Sequence, residues 1–213
     1  MGDLLRGVRM SLESGEERRN QLRQMATEDA LTGLPSRRNA DEYLRLAHGA
    51  AERSGNSLSI AILDLDHFKN INDTFGRDTG DHALKTTAEF LKLWLRRRSD
   101  WIGRWTGDQF IAVIFEPVGD AVQFLDNLRR EFARQMRGFE NTGLSLSIGA
   151  AELRRNETLE NCLKHAGEAL HAAKLEGRNR VVAPQPGLMR ANAQKVEAVS
   201  SVEPLEGPRT AVG

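Results

Sequence analysis

Residues Trp101–Glu116 read WIGRWTGDQFIAVIFE. Two β-prone runs, Trp101–Trp105 and Phe110–Glu116, flank the segment Thr106-Gly107-Asp108-Gln109. A short connection containing glycine between two such runs predicts a β-hairpin. Upstream, Ser57–Asp64 (SLSIAILD) is mostly apolar and rich in strand formers, as expected of a central strand buried on both faces. Downstream, Leu144–Ala151 (LSLSIGAA) alternates polar and apolar residues and predicts another strand, and Arg180–Val182 a short last one. Helical patterning fills the gaps over Arg38–Arg53, Asp81–Arg97, Asp120–Met136 and Leu159–Leu175, the last running into Gly177, a natural C-cap glycine. The order α-β-α-β-β-α-β-α-β predicts an α/β (α+β) sandwich: a mixed sheet of about five strands, with an antiparallel hairpin inside it, flanked by helices.

The flanks differ from this segment. Residues 184–213 hold four of the six prolines and no aromatic residue, and read as a disordered tail. Residues 1–28 are polar and helix-prone. Leu5, Val8, Leu12, Leu22 and Ala26 share a heptad register that Gly15 and Arg19 interrupt, so the stretch reads either as a frayed lead-in helix or as a dimerising coiled coil. One folded domain over residues 29–183 is the expected organisation, in keeping with a length of 213 residues.

Composition narrows the function. Lys and Arg number 30 and Asp and Glu 30, so the formal net charge is zero. That argues against binding bulk nucleic acid or a membrane surface, both of which reward surplus positive charge. The longest apolar run, Phe110–Phe115, is far short of a bilayer span. The single Cys162 rules out an intrachain disulfide framework and a cysteine-based zinc site, and reads as a helix packing residue. A cytoplasmic protein is the expectation.

The chemistry-bearing residues are carboxylates. Asp64-Leu65-Asp66 stands where the first buried strand ends, which in α/β folds is where ligands bind. Two residues apart in a strand, Asp64 and Asp66 are expected on one face. Asp108 sits at the hairpin tip, and if the hairpin neighbours the first strand, Asp64 and Asp108 converge. Two carboxylates a few Å apart repel unless a cation lies between them, and oxygen-only ligands suit Mg²⁺ with phosphate oxygens completing its shell. Acidic residues are also common at turns, so spacing alone leaves both readings open. The chain has no Walker A motif and no His-Glu-x-x-His pair.

Five ordered blocks carry a family resemblance: Asp29–Arg38 (DALTGLPSRR), Asp64–Asp73 (DLDHFKNIND), Gly76–Asp81 (GRDTGD), Gly103–Phe110 (GRWTGDQF) and Ala173–Arg180 (AKLEGRNR). Together, at these intervals, they resemble the GGDEF domain family, the diguanylate cyclases. The resemblance implies a fold akin to polymerase-palm and nucleotide-cyclase domains. It also implies condensation of two GTP molecules to cyclic di-GMP with release of pyrophosphate, each 3′-hydroxyl attacking the α-phosphorus of the other GTP across two facing domains, hence a homodimer. By position it implies that Asp64 and Asp108, with the Leu65 carbonyl, hold Mg²⁺ or Mn²⁺. His67 and Phe68 amides, with Gly107 in the signature turn, would contact the nucleotide, the two amides cradling its β- and γ-phosphates. Lys69, Lys174 and Arg178 would neutralise the triphosphate, and Asn72 and Asp81 would read the guanine edge. Each has a plainer reading too: Lys174 and Arg178 also suit a helix C-terminus, and Asn72 a helix cap.

The signature departs from the family at two positions. Thr106 replaces a glycine, which costs ~1–2 kcal/mol if the turn needs left-handed φ. Gln109 replaces a glutamate, keeping size and hydrogen bonding but losing the charge and the ability to take a proton; if that acid helps activate the attacking hydroxyl, the loss is ~10²–10⁴-fold in rate. Arg97-Arg98-Ser99-Asp100 fits the family's RxxD inhibitory site for cyclic di-GMP, with Arg97 and Asp100 as its paired ligands; the plainer reading of Arg96–Arg98 is a solvated helix end. An active or impaired cyclase and a non-catalytic receptor for GTP or cyclic di-GMP are the two expectations.

Overall fold

A computed structural model describes residues 27–95, 100–139 and 142–184. All but the last two residues of the predicted lead-in, nearly all of the predicted tail, and Arg97 lie outside the described residues. The chain divides into Met1–Ala183 and Pro184–Gly213, and the elements below belong to the first.

They run α1 (Arg37–Ser54), β1 (Ser59–Leu65), α2 (Phe68–Phe75), α3 (Arg77–Trp94), β2 (Trp101–Thr106), β3 (Gln109–Ile114), α4 (Val118–Gln135), β4 (Leu146–Glu152), α5 (Leu159–Leu175) and β5 (Val181–Val182). The strands form one sheet in the order β2-β3-β1-β4-β5. β1 lies at its centre, antiparallel to β3 and to β4, and every one of its residues is buried. β5 pairs parallel with β4 at the edge.

Side-chain parity divides the core into two layers. Ala61, Leu63 and Leu65 of β1 and Phe110, Ala112 and Ile114 of β3 pack with α3 and α4. Ile60 and Ile62 of β1 and Ile111 and Val113 of β3 pack with α1 and α5. Successive strand residues point to opposite faces, so Asp64 and its register partner Gln109 share the α5 side of the sheet. The helices bury matching stripes: Ala40, Leu44, Ala47 and Ala51 in α1, and Cys162, Ala166, Ala169, Leu170 and Ala173 in α5. Strand β2, at the other edge, is covered by α1: Tyr43 stacks on Trp101 at 4.7 Å between centroids, and the Arg37 guanidinium sits over the Trp105 ring.

Two local expectations are corrected. Helix α3 starts at Arg77, four residues before Asp81, and ends at Trp94 rather than Arg97; its polar first turn carries no apolar periodicity to read. Helix α2 was not expected as an element of its own, because only Ile71 of its eight residues is buried. Helix α5 spans Leu159–Leu175 as expected, and Gly177 (φ +109°), directly after the C-cap residue Glu176, is the terminating glycine; Arg178 and Asn179 after it also have positive φ.

Candidate active site at the strand ends

Asp64, the penultimate residue of β1, is 2% exposed. A buried carboxylate needs partners, and two reach the same oxygen. Gln109 Nε2 donates to Asp64 Oδ2 at 2.9 Å, and Lys174 Nζ, from the last turn of α5, lies 2.7 Å from it. Both arrive by parity and packing, since Gln109 pairs with Asp64 across the β1–β3 ladder and α5 covers that face.

Asp108 stands beside them. The hairpin turn is tighter than expected: Thr106 and Gln109 belong to the strands, leaving Gly107 and Asp108 at the tip. Gly107 takes φ +52°, which glycine reaches freely, and a Cβ built there would meet nothing within 4 Å. The Leu65 amide donates to the Asp108 carbonyl at 3.3 Å, closing the turn onto the end of β1. Burial, and next the Asp64 charge, push the Asp108 carboxyl above its ordinary range, against the pull of Lys174 and Arg104. The structure thus brings Asp64 and Asp108 together at the strand ends. Thr106 does not have a positive φ, so the left-handed penalty expected of it does not arise.

The phosphate-cradle candidates follow at once. His67 (φ +60°) is a left-handed non-glycine at the start of α2, and Phe68 is its first residue, packed against the core. Lys69 is exposed on α2, Asp81 exposed on α3, and Asn72 half-buried between those helices. Asn72 does not cap α3; its amide group fills the space above Gly80, where a Cβ would come within 1.9 Å of Oδ1. Arg178 is exposed and its amide donates to Ala173 O. Asp100 is half-buried, and after burial its charge is the second cause of a raised Tyr43 hydroxyl pKa. Its expected partner Arg97 lies outside the described residues.

Sequence reasoning assigned no role to the residues that hold these parts in place. Asp66 lies beyond β1 in the following turn, where its carboxylate accepts from Ser147 Oγ (2.7 Å), Ser145 Oγ (2.6 Å) and the Asn179 amide (3.1 Å). It therefore staples β4 and the Gly177–Asn179 loop to the turn that carries His67. Strained φ values at His67, Arg178 and Asn179 flank this staple, as strain clusters where the surroundings over-determine the backbone. Arg104 does similar work at the hairpin: its guanidinium pairs with Asp29 at 2.8 Å and donates to the Gly107 carbonyl at 2.7 Å. Asp29 in turn accepts from the Thr32 amide and hydroxyl. Burial opposes the Asp29 charge, but bonds from Arg104 and Thr32 outweigh it and hold the carboxyl below its ordinary range. The sequence signal for both was their position inside the quoted blocks.

Cys162 is fully buried, and burial, helped by Glu157, pushes its thiol up to about 12. It is no nucleophile at neutral pH. Among the described residues no cluster of three or more His, Cys, Asp or Glu side chains is placed to hold a metal. The donors that fit one are the convergent pair Asp64 and Asp108 with the Leu65 carbonyl, all oxygen, as Mg²⁺ and Mn²⁺ prefer. No helix of the described residues is long and apolar enough to cross a membrane.

Residues 26–180 match the model of the diguanylate cyclase GGDEF domain. The chain belongs to the GGDEF domain family. GGDEF relatives include diguanylate cyclase DgcP of Pseudomonas aeruginosa, 38% identical over 162 residues that make up 75% of this chain and 24% of that protein. Diguanylate cyclase DosC of Escherichia coli is 36% identical over 157 residues, 72% of this chain and 34% of that protein. The chain thus spans about a quarter to a third of the length of these two relatives. Among solved structures, the GGDEF domain of DgcB from Caulobacter crescentus in complex with c-di-GMP superposes with a TM-score of 0.69 at 32% identity, covering 74% of this chain and 95% of that one. The coiled coil and GGDEF domain of the same protein, also with c-di-GMP, gives 0.70 at 31% identity, covering 84% and 97%. The GGDEF fold, a mixed five-stranded sheet flanked by helices, is the α+β architecture expected from the sequence.

Proposed function

We propose that this GGDEF domain is a diguanylate cyclase of cyclic di-GMP signalling, acting in the cytoplasm as a homodimer and slowed by its variant signature. The observation that carries the reading is the meeting of Asp64 and Asp108 at the end of β1, beside a left-handed turn and an ammonium from α5. Two carboxylates at the strand ends, with an ammonium and the amides of a helix N-terminus close by, suit a nucleoside triphosphate and its metal. Asp64, Asp108 and the Leu65 carbonyl would hold Mg²⁺ or Mn²⁺, which supplies charge neutralisation for phosphoryl transfer when bound.

The chain's own residues bind and orient. Amides of His67 and Phe68 donate to the β- and γ-phosphates, and Gly107 leaves room for the nucleotide to approach the hairpin. Lys69, Lys174 and Arg178 balance the triphosphate charge. Asp81 accepts from the guanine N1–H and N2 donors that adenine lacks, and Asn72, held against Gly80, completes that contact. Each 3′-hydroxyl attacks the α-phosphorus of the other GTP, and pyrophosphate leaves. Gln109 orients the attacking hydroxyl but takes no proton, so that proton passes to solvent or phosphate.

A second reading, a receptor that binds GTP or cyclic di-GMP without turning GTP over, is favoured by one contact: the Gln109 amide donates to Asp64, where a glutamate could not. Arg97 and Asp100 would be its ligand-binding pair. Incubation of the purified chain with GTP and Mg²⁺, followed by product chromatography, separates the two. Cyclic di-GMP is expected, with Gln109→Glu faster by ~10²–10⁴-fold if that position handles the proton. No turnover, together with cyclic di-GMP binding that Arg97→Ala abolishes, would reject the cyclase and leave the receptor.

A further inference from the structure

We infer that Lys174 and Gln109 stand in for a divalent cation at Asp64, so that this site takes up metal tightly only together with a phosphorylated nucleotide. The inference rests on the nucleotide-site reading above and adds an order of binding to it.

The argument begins with Asp64. Its carboxylate is buried, and an unpartnered charge there would be costly. One oxygen, Oδ2, is taken by the Lys174 ammonium at 2.7 Å and the Gln109 amide at 2.9 Å. These contacts replace the interactions that a cation would otherwise provide. Position 109 decides the balance. Register places its side chain opposite Asp64 on the same face of the sheet, and an amide there donates. A glutamate would set a third carboxylate beside Asp64 and Asp108, with the one ammonium of Lys174 to offset three charges. Such a cluster demands a cation. With Gln109 the cluster holds two carboxylates against one ammonium, and Oδ2 of Asp64 is already taken.

A free ion must therefore displace Lys174 and rotate the Gln109 amide to reach Oδ2. A triphosphate changes this competition. Lys174 sits on a flexible stem at the end of α5 with its side chain one-third exposed (33%), and phosphate oxygens offer its ammonium a stronger set of acceptors. Once it turns to them, Asp64 Oδ2 opens to metal. By linkage, metal and nucleotide each raise the affinity for the other by the same factor.

The test is calorimetric titration of Mn²⁺ alone into the nucleotide-free chain. Compared are the wild type, Gln109→Glu, Lys174→Met, the charge-keeping Lys174→Arg, and Lys164→Met, an exposed lysine on the same helix. Gln109→Glu and Lys174→Met are expected to bind Mn²⁺ about 10–100-fold more tightly than the wild type, the usual scale for residues that hold a metal ligand. Lys174→Arg and Lys164→Met are expected to match the wild type. A non-hydrolysable GTP analogue should raise the wild-type affinity for Mn²⁺ by a similar factor. Far-ultraviolet circular dichroism checks that each variant folds; should Lys174→Met fail, Gln109→Glu decides alone. Wild-type Mn²⁺ affinity equal to that of the folded variants would overturn the inference. The nucleotide-free series needs no GTP, so failure of GTP and cyclic di-GMP to bind would sink the functional proposal while leaving this result to be read by itself.

Discussion

At the scale of single residues, two contacts bear most on whether the site keeps its shape. The first is Asn72 against Gly80. A methyl group at position 80 would lie 1.9 Å from Asn72 Oδ1, the movable end of a side chain rather than backbone. Gly80→Ala should therefore displace Asn72 and leave the fold alone. Losing one hydrogen bond of ~1 kcal/mol predicts a several-fold to tenfold weaker grip on a guanine nucleotide, with the melting temperature nearly unchanged. Calorimetry and a thermal melt on the same sample check both halves. The second contact is Asp29 with Arg104. The folded carboxyl titrates below its ordinary 3.8, so the stabilisation is full above that pH and is lost as the pH falls through the folded value. Asp29→Asn should cost ~1–3 kcal/mol at pH 7. The gap between the two melting curves should close on acidification below about pH 4. A gap constant down to pH 2 would mean that the ion pair contributes nothing.

At the scale of elements, the close packing of β4 on α5 governs the site. A Cβ on Gly149 would come within 2.1 Å of the Leu170 amide nitrogen and 2.2 Å of the Ala166 carbonyl oxygen. These are backbone atoms in the middle of α5, so neither side can yield cheaply. Gly149→Ala should push α5 off the sheet at a cost of ~1–3 kcal/mol or more, lowering the melting temperature by ~2–4 °C per kcal/mol for a chain of this size. Because Lys174 rides on the same helix, it should also loosen the Lys174–Asp64 pair. An unchanged melt would show that β4 and α5 are less tightly apposed. Much at this scale was legible in advance. The apolar run before Asp64 announced the central strand, and Leu159–Leu175 showed the helix stripe that the structure contains. Helix α2 was not legible, because one buried residue, Ile71, makes no period. Nor was the start of α3, whose first turn is polar and exposed apart from half-buried Thr79 and buried Gly80.

At the scale of the molecule, the proposed reaction joins two nucleotides, and the described residues of one domain offer one convergent carboxylate pair, Asp64 and Asp108. Each active unit then needs two chains face to face. Mixing wild-type chain with an excess of Asp64→Ala chain should lower cyclic di-GMP output per wild-type chain, because mixed pairs hold one competent site. Output that ignores the added variant would show a chain working alone. Zero net charge is compatible with this chemistry because opposite charges are gathered locally: Asp64 and Asp108 on the strand ends, Lys174 on α5 and Arg178 in the loop after it.

The sequence by itself determined the family, the mixed sheet and its central strand, and the carboxylates at the strand end. Those features rest on local periodicity and on ordered motifs, which survive without coordinates. Only the tertiary structure decided which contacts each carboxylate makes. Asp64 and Asp66 are two residues apart, yet one meets Lys174 and Gln109 and the other is held by Ser145, Ser147 and the Asn179 amide. It likewise decided that Thr106 sits without left-handed strain and that Gln109 donates to Asp64. Such partners come from distant points of the chain and are chosen by strand register and by the helix that covers the face, physical constraints that no local pattern carries.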